Sequence, residues 1–202
     1  MFYGRMHRRI LPSVCYISIL KMKRMRCLVI YAHLNPFSFN HAIKQEVERL
    51  LEEMGHEVKV SDLYEMDFKA VLKPEDLNVL YSGSAAADVK VEQEKVTWAE
   101  RLILVYPIWW TGFPAILKGY IDRVFSYGFA YAIDEKGWVQ LLKGRKALLI
   151  TTHGQPESVY HDRMYTSLRD TQDVGVFQFC GIEAQHVFFP GIMASTDELR
   201  QQ

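Results

Sequence analysis

The sequence predicts a doubly wound α/β fold, five parallel strands in the order 2-1-3-4-5 with helices on both faces. Three observations predict it. Short, continuous apolar runs rich in β-branched residues recur along the chain, as strands buried on both faces require. Stretches with apolar residues at helical spacing lie between them. No internal repeat, low-complexity tract or Pro/Gly-rich linker divides the series, so the alternation falls into one sheet joined by right-handed crossovers.

The first strand is 26-RCLVIY-31. A helix follows in 40-NHAIKQEVERLLEEMGHEV-58, where Ile43, Val47, Leu50, Leu51 and Met54 share one face and Gly55 stands ready to end it. The alternating 57-EVKVSDL-63 reads as the second strand, and an irregular polar region runs from there through Ala87. A short helix is expected over Lys90 to Ala99, then a third strand in 101-RLILVYP-107. Pro114 opens the next helix, 114-PAILKGYIDRVFSY-127, with a broad apolar face of Ile116, Leu117, Tyr120, Ile121, Val124 and Phe125. The fourth strand is 146-KALLITT-152, a helix is expected within residues 160–178, and 184-AQHVFFP-190 is the fifth strand.

Composition narrows the function. A chain of 202 residues, 49% hydrophobic and 24% charged, has the make-up of one globular domain with a sizeable core. Its 24 basic and 24 acidic residues cancel, so the broad positive field of a nucleic-acid or membrane-surface binder is missing. Small-molecule partners are expected. Cys15, Cys27 and Cys180 are widely separated and form no metal-ligand spacing, so neither a metal site nor a disulfide framework is expected, and a reducing cytoplasm fits best. No run of about 18 apolar residues is present, and no membrane span is expected.

Residues 1–24 differ from the rest, with Arg5, Arg8, Arg9, Lys21, Lys23 and Arg24 around 10-ILPSVCYISIL-20. Pro12 interrupts the apolar run and no small-residue cleavage site follows, which argues against a signal peptide. The segment is expected to be a non-core extension, either a disordered tail or an over-called start ahead of Met22 or Met25. Residues 25–202 are expected to form the single domain.

In open sheets of this kind ligands sit beyond the carboxyl ends of the strands, where strand 1 neighbours strand 3. Three loops qualify. The loop 33-HLNPFSFN-40 ends at a helix N-terminus, which favours an anion; His33, Ser38 and Asn40 carry donors for a phosphate, although Ser38 or Asn40 serves equally well as a local cap. The loop 107-PIWWTGFP-114 holds Trp109 and Trp110, candidates for bounding a flat ring, against the plainer alternative of covering core surface. The loop 151-TTHGQPESVY-160 offers the hydroxyls and N–H groups of Thr151 and Thr152, close backbone approach at Gly154, and the possible proton donors Tyr160 and His161. A phosphate end, an aromatic wall and a polar ring edge are together what a flavin requires.

The combination YAHLNPFSFN, DVKVEQEKVTWAERLILVYPIWWTGFPAILKGYIDRVFSYGFAY and TTHG closely resembles the flavodoxin-like NAD(P)H:quinone oxidoreductases of the DT-diaphorase type and related bacterial flavin reductases, over roughly residues 26 to 202. The resemblance implies flavin contacts at His33, Ser38, Phe39, Asn40, Gln93, Pro107, Ile108, Trp110, Thr151, Thr152 and Gly154, with Trp109 and His153 beside them. It implies that Tyr160 matches the family's tyrosine near the flavin ring and that Tyr131 reaches a substrate pocket across a dimer interface. Gln93 and Arg200 match positions that the family turns toward the adenine half of FAD, so FAD is expected, with FMN the alternative. Departures are also plain: Thr111 stands where relatives often have phenylalanine, Ile133 replaces a second pocket tyrosine, and His153 replaces a glycine. The family's histidine beyond the tyrosine is not matched at its spacing, and His161, directly after Tyr160, is the candidate.

The function implied is two-electron reduction of quinones or other electron-poor aromatics by NADH or NADPH, ping-pong through bound flavin, in a homodimer. Two alternatives stand beside it. An electron-transfer flavodoxin usually needs an acidic docking face, which this neutral chain does not suggest. A regulatory subunit of a potassium-efflux transporter is the other.

Overall fold

The computed structural model describes residues 24–77, 85–160 and 162–193. The apolar runs become strands because both their faces are covered. β1 (Arg26–Tyr31) is buried from Cys27 onward. β2 (Glu57–Asp62) alternates between more and less exposed positions, as suits an edge. β3 (Arg101–Pro107) is buried from Leu102. A hairpin of β4 (Tyr131–Asp134) and β5 (Gly137–Gln140) intervenes before β6 (Lys146–Thr152) and β7 (Glu183–Phe189). The five sheet strands run parallel in the order β2-β1-β3-β6-β7. The hairpin adds two strands to the chain ahead of the last two strands of the sheet, so the strands numbered 2-1-3-4-5 from the sequence carry the labels 2-1-3-6-7.

Helix α1 (Phe39–Glu53) begins where the Ser38 hydroxyl accepts the His41 N–H at 3.1 Å, and it buries Ile43, Val47 and Leu51, spaced four apart. Gly55, at φ +78°, supplies the left-handed residue that stops it. The polar region after β2 contains a short helix, α2 (Pro74–Leu77), and α3 (Ala87–Trp98) starts three residues before the expected Lys90. Helix α4 (Ala115–Val124) ends earlier than its apolar pattern suggested, since Phe125 has left helical geometry. Beyond α5 (Asp162–Leu168) the chain widens into a π-helical stretch, Arg169–Phe177, and tightens into a 3₁₀ turn, Gln178–Cys180. The last strand starts one residue earlier than read from sequence.

Period-two alternation sorts the strands' side chains onto two cores. Leu28, Ile30, Leu102, Leu104 and Leu149 face Val89 and Val96 of α3 and Leu117, Tyr120 and Val124 of α4. Val29, Tyr31, Ile103, Val105 and Ile150 face Ile43, Val47 and Leu51 of α1. Each fully buried aliphatic side chain contributes about 1.5–3 kcal/mol relative to exposure, so α1 and α4 are held at fixed heights against the sheet.

Two devices fix α4 further. A Cβ at Gly119 would meet the Ala70 carbonyl oxygen at 2.0 Å, so only glycine lets the segment after β2 lie against the helix. Arg123, almost fully buried, bonds both oxygens of Asp76 at 2.9 Å, bonds Asp88 at 2.6 and 3.1 Å, and donates to the Lys69 carbonyl at 2.7 Å. Its guanidinium holds both carboxyls below the usual carboxylate range. The middle and end of α4 are thereby pinned to the segment after β2 and to the start of α3.

Candidate functional site

The carboxyl ends of β1, β3 and β6 bring the three predicted loops into direct contact. Asn40 Nδ2, from the first, donates to Thr152 Oγ1, from the third, at 2.8 Å. Ile108 N–H, from the second, donates to the Thr152 carbonyl at 2.7 Å. The His33 ring stands 6.1 Å from that of Trp109.

The first loop is organised around donors. Asn35 N–H donates to His33 Nδ1 at 3.0 Å, so the neutral ring carries its proton on Nε2; burial lowers the pKa of this histidine. At the start of α1 the His41 and Ala42 N–H groups both bond to Ser38, while those of Phe39 and Asn40 have no intrahelical partner. Ser38 caps the helix, as the plainer alternative had it, and its hydroxyl also lies 3.4 Å from that of Tyr31. Asn40 is buried, yet its Oδ1 has no hydrogen-bond partner. Turning the amide over keeps the Thr152 bond, with that hydroxyl donating, and presents an NH₂ group at the unpaired position. A helix start with unpaired N–H groups beside this amide suits a phosphate.

The second loop is a tight turn closed by reciprocal backbone bonds between Trp109 and Gly112, at 3.1 and 3.3 Å. Its central residues, Trp110 and Thr111, have φ of +51° and +55°. Such turns ordinarily take Asn-Gly, and each left-handed non-glycine residue costs about 1–2 kcal/mol. Thr111 Oγ1 offsets part of this by bonding the Trp110 carbonyl at 2.7 Å. Trp110 is 100% exposed and Trp109 39%, so Trp110 contributes nothing to the core. Backbone strain carrying a fully exposed indole at the switch point is the pattern of a ligand site.

The third loop differs from its sequence reading. Thr151 and Thr152 point to opposite faces of the sheet, and both hydroxyls are committed. Thr151 Oγ1 donates to the Val187 carbonyl at 3.2 Å and lies 3.0 Å from His186 Nε2; His186 Nδ1 lies 3.0 Å from Asp173 Oδ1. This Thr–His–Asp series is buried, and burial lowers the pKa of His186 against the opposing pull of Asp173. Beside it the Tyr106 hydroxyl donates to Gln172 Oε1, and Gln172 Nε2 is buried without a partner. The π-helical stretch presents Gln172 and Asp173 together toward the sheet, an arrangement met often at functional sites.

Beyond Thr152 the chain forms an aromatic group. His153 is 2% exposed and stacks on Tyr160 with centroids 3.9 Å apart and planes at 19°. Its Nδ1 is 2.9 Å from the Gln155 carbonyl and its Nε2 is 3.0 Å from the Tyr165 hydroxyl. Tyr160 packs with Ile108 and Leu168, next to the second loop. Burial raises the pKa of Tyr160 and Tyr165 and lowers that of His153. Tyr165 was not singled out from the sequence; the departure from glycine at position 153 is the signal that leads to it. A Cβ on Gly154 would meet Met193 Cγ at 2.6 Å, but that side chain is exposed and can move aside.

Other expected site residues lie apart from this group or are occupied. Gln93 Nε2 donates to the Val124 carbonyl and Ser126 Oγ at 3.0 and 3.1 Å, tying α3 to the end of α4. Tyr131 sits on the hairpin in an aromatic cluster with Tyr127, Trp138 and Phe179, at centroid distances of 5.2–5.8 Å. Ile133 is exposed on the same hairpin. Phe39 packs edge-on to Phe189. Pro107 ends β3 and is buried. His161 and Arg200 fall outside the described residues. Among the described residues no group of His, Cys, Asp and Glu has metal-site geometry, and no helix is long and apolar enough to cross a membrane.

The family model described as "Flavodoxin-like fold" matches residues 25–202. An NAD(P)H oxidoreductase of Haemophilus influenzae is 40% identical over 161 residues, covering 79% of this chain and 80% of its own. NAD(P)H dehydrogenase [quinone] 1 of Cavia porcellus is 38% identical over 183 residues, covering 78% of this chain; the chain spans 65% of that longer protein. The solved NAD(P)H:quinone oxidoreductase of Methanothermobacter marburgensis superposes with a TM-score of 0.78 at 28% identity, over 89% of this chain and 93% of that one. The chain is therefore a member of the flavodoxin-like family to which these NAD(P)H:quinone oxidoreductases belong.

Proposed function

We propose that the protein catalyses flavin-dependent two-electron reduction of quinones, or of similar electron-poor aromatics, by NADH or NADPH. The observation that carries this reading is the strained, fully exposed Trp110 turn, joined through Ile108 and Thr152 to a helix start with unpaired N–H groups. One end of the site suits phosphate and the other suits a flat ring. The names of the relatives support the same chemistry.

A bound flavin would supply the two-electron carrier that no side chain provides. The chain's own part is to hold and orient it. The Phe39 and Asn40 N–H groups, with the Asn40 amide, would bind phosphate; the His33 Nε2–H would donate beside it; Trp109 and Trp110 would flank the ring system and exclude water. Tyr160, kept protonated by burial, is proposed as a proton donor near the ring. His161 is proposed as an accessory donor, in keeping with its place next to Tyr160.

The flavin is proposed to be FAD, with FMN the alternative. The Gln93 amide nitrogen is already bonded within the protein, so support for FAD rests on the resemblance and on Arg200. A homodimer is proposed from the exposed or half-exposed aromatic surface of Trp138, Phe179 and Tyr131 with Ile133. A reducing, cytoplasmic location is proposed from the unpaired, buried Cys27 and Cys180. The test is steady-state oxidation of NADH or NADPH with a soluble quinone, alongside mass spectrometry of the released cofactor. Turnover that needs flavin and shows parallel double-reciprocal plots is expected; a flavin-free preparation with full turnover would refute the reading.

A further inference from the structure

We propose that Asp173 and His186 are positioning residues for the flavin: with Thr151 they form a buried brace that holds the strand end Thr151–His153, where the three loops of the site meet. This rests on the function proposed above, since a flavin is what the strand end would receive.

The brace spans three elements. A carboxylate only accepts, so the 3.0 Å contact between Asp173 Oδ1 and His186 Nδ1 places a proton on Nδ1. Burial keeps the ring neutral against the pull of Asp173, and Arg169, the other charge acting on it, also disfavours the imidazolium. Nε2 is therefore bare. The Thr151 hydroxyl hydrogen has two acceptors in reach, Nε2 at 3.0 Å and the Val187 carbonyl at 3.2 Å. Both belong to β7, so either bond ties the end of β6 to that strand. His186 also stacks on Phe188, with centroids 4.0 Å apart and planes at 19°.

The residues after Thr151 are the ones that join the loops. Thr152 bonds Asn40 at 2.8 Å through its hydroxyl and Ile108 at 2.7 Å through its carbonyl, and the His153 N–H donates to the Phe189 carbonyl at 3.0 Å. A shift of β6 against β7 therefore moves the phosphate end and the tryptophan turn together. A second arm reaches the turn directly. Gln172 Oε1 accepts from the Tyr106 hydroxyl, and the Tyr106 ring lies 5.3 Å from that of Phe113, the residue after Gly112. Both arms start from adjacent residues of the π-helical stretch, whose wide turn brings Gln172 and Asp173 to the sheet together. Packing alone does not select this arrangement, because polar groups occupy a buried place over the sheet and Gln172 Nε2 is left without a partner. A binding edge that must be held to within about 0.5 Å gives such supports a use.

Asp173 and His186 act through Thr151 and do not touch the flavin. The full chain, freed of cofactor, is titrated with FMN and with FAD by flavin fluorescence, at a temperature where circular dichroism shows each variant folded. Asp173→Ala and Thr151→Val should each weaken flavin binding about 10- to 100-fold, the range typical of groups that orient a binding residue from behind. Each should also shift the visible band of the flavin that still binds. Asp173→Asn, whose amide oxygen can accept the Nδ1 proton, should restore near-parental affinity. The double variant Asp173→Ala/Thr151→Val should bind no more weakly than the weaker single, because both changes break one brace. Parental affinity and spectrum in either single variant would overturn the proposal and leave the network a purely structural one, whatever the melting temperatures; additive losses in the double variant would also overturn it. If Asp173→Ala does not fold, Thr151→Val and Asp173→Asn decide, since each changes little more than one polar group. A parent protein that takes up neither FMN nor FAD would instead overturn the proposed function, and the brace with it.

Discussion

The strand end at Thr151–His153 and the turn at Trp109–Gly112 are neighbours on one sheet edge, and they are built in opposite ways. At the strand end the side chains are buried and their polar atoms are bonded within the protein: Thr151 to β7 and His186, Thr152 to Asn40, His153 to Gln155 and Tyr165. At the turn, two residues adopt left-handed backbone and a tryptophan projects wholly into solvent. Folding accounts for the first region. It does not account for the second, where strain and exposed apolar area both oppose stability. The difference separates residues committed to the fold from residues left free to meet a ligand.

Breaking the built region should have the largest effect. Asp173→Ala leaves His186 Nδ1 buried without its partner, and an unsatisfied buried polar group costs about 1–3 kcal/mol. A urea-unfolding midpoint should fall accordingly; a change below about 1 kcal/mol, the range of an exposed pair, would mean that the pair is not buried in solution.

Acid should weaken the same region next. Burial lowers the pKa of His33, His153 and His186, so between the folded and unfolded pKa values the unfolded chain binds protons that the folded chain does not. Stability is therefore fully present above the unfolded value of about 6.5 and is lost as pH falls below it, by at most about 1.4 kcal/mol per pH unit for each histidine. Urea midpoints from pH 8 to pH 5 check this, and an unchanged midpoint at pH 5 would contradict it.

The turn should respond least in stability and most in binding. Thr111→Gly relieves one left-handed residue and should stabilise by about 1 kcal/mol. Trp110→Ala should change stability by no more than about 0.5 kcal/mol, against about 3–5 kcal/mol for a core tryptophan, yet it should release flavin. Thermal melts paired with flavin fluorescence of the filtrate read both quantities.

The sheet was legible because continuous apolar runs have few alternatives once both faces are covered; the runs at 26–31, 101–107 and 146–152 match the strands residue for residue. The hairpin was not, since YAID and GWVQ are short and half-exposed, held by aromatic contacts with Phe179 far along the chain. The candidate site was placed from topology, and the Trp109–Gly112 turn was singled out by its position there. The fate of the two threonine hydroxyls depends on His186 and Asn40, 35 and 112 residues away, which no local pattern announces. The alternation that sends adjacent strand residues to opposite faces was the one available clue.

This edge of the sheet is proposed to hold a flavin that accepts electrons from a nicotinamide and passes them to a quinone. Anaerobic stopped-flow absorbance of the flavin-loaded protein tests it most directly. Mixing with NADH or NADPH should bleach the bound flavin's visible absorption, and a second mixing with benzoquinone should restore it, with Trp110→Ala retaining too little flavin to show either change. A flavin spectrum that neither nucleotide bleaches, or full binding and cycling in Trp110→Ala, would contradict the account.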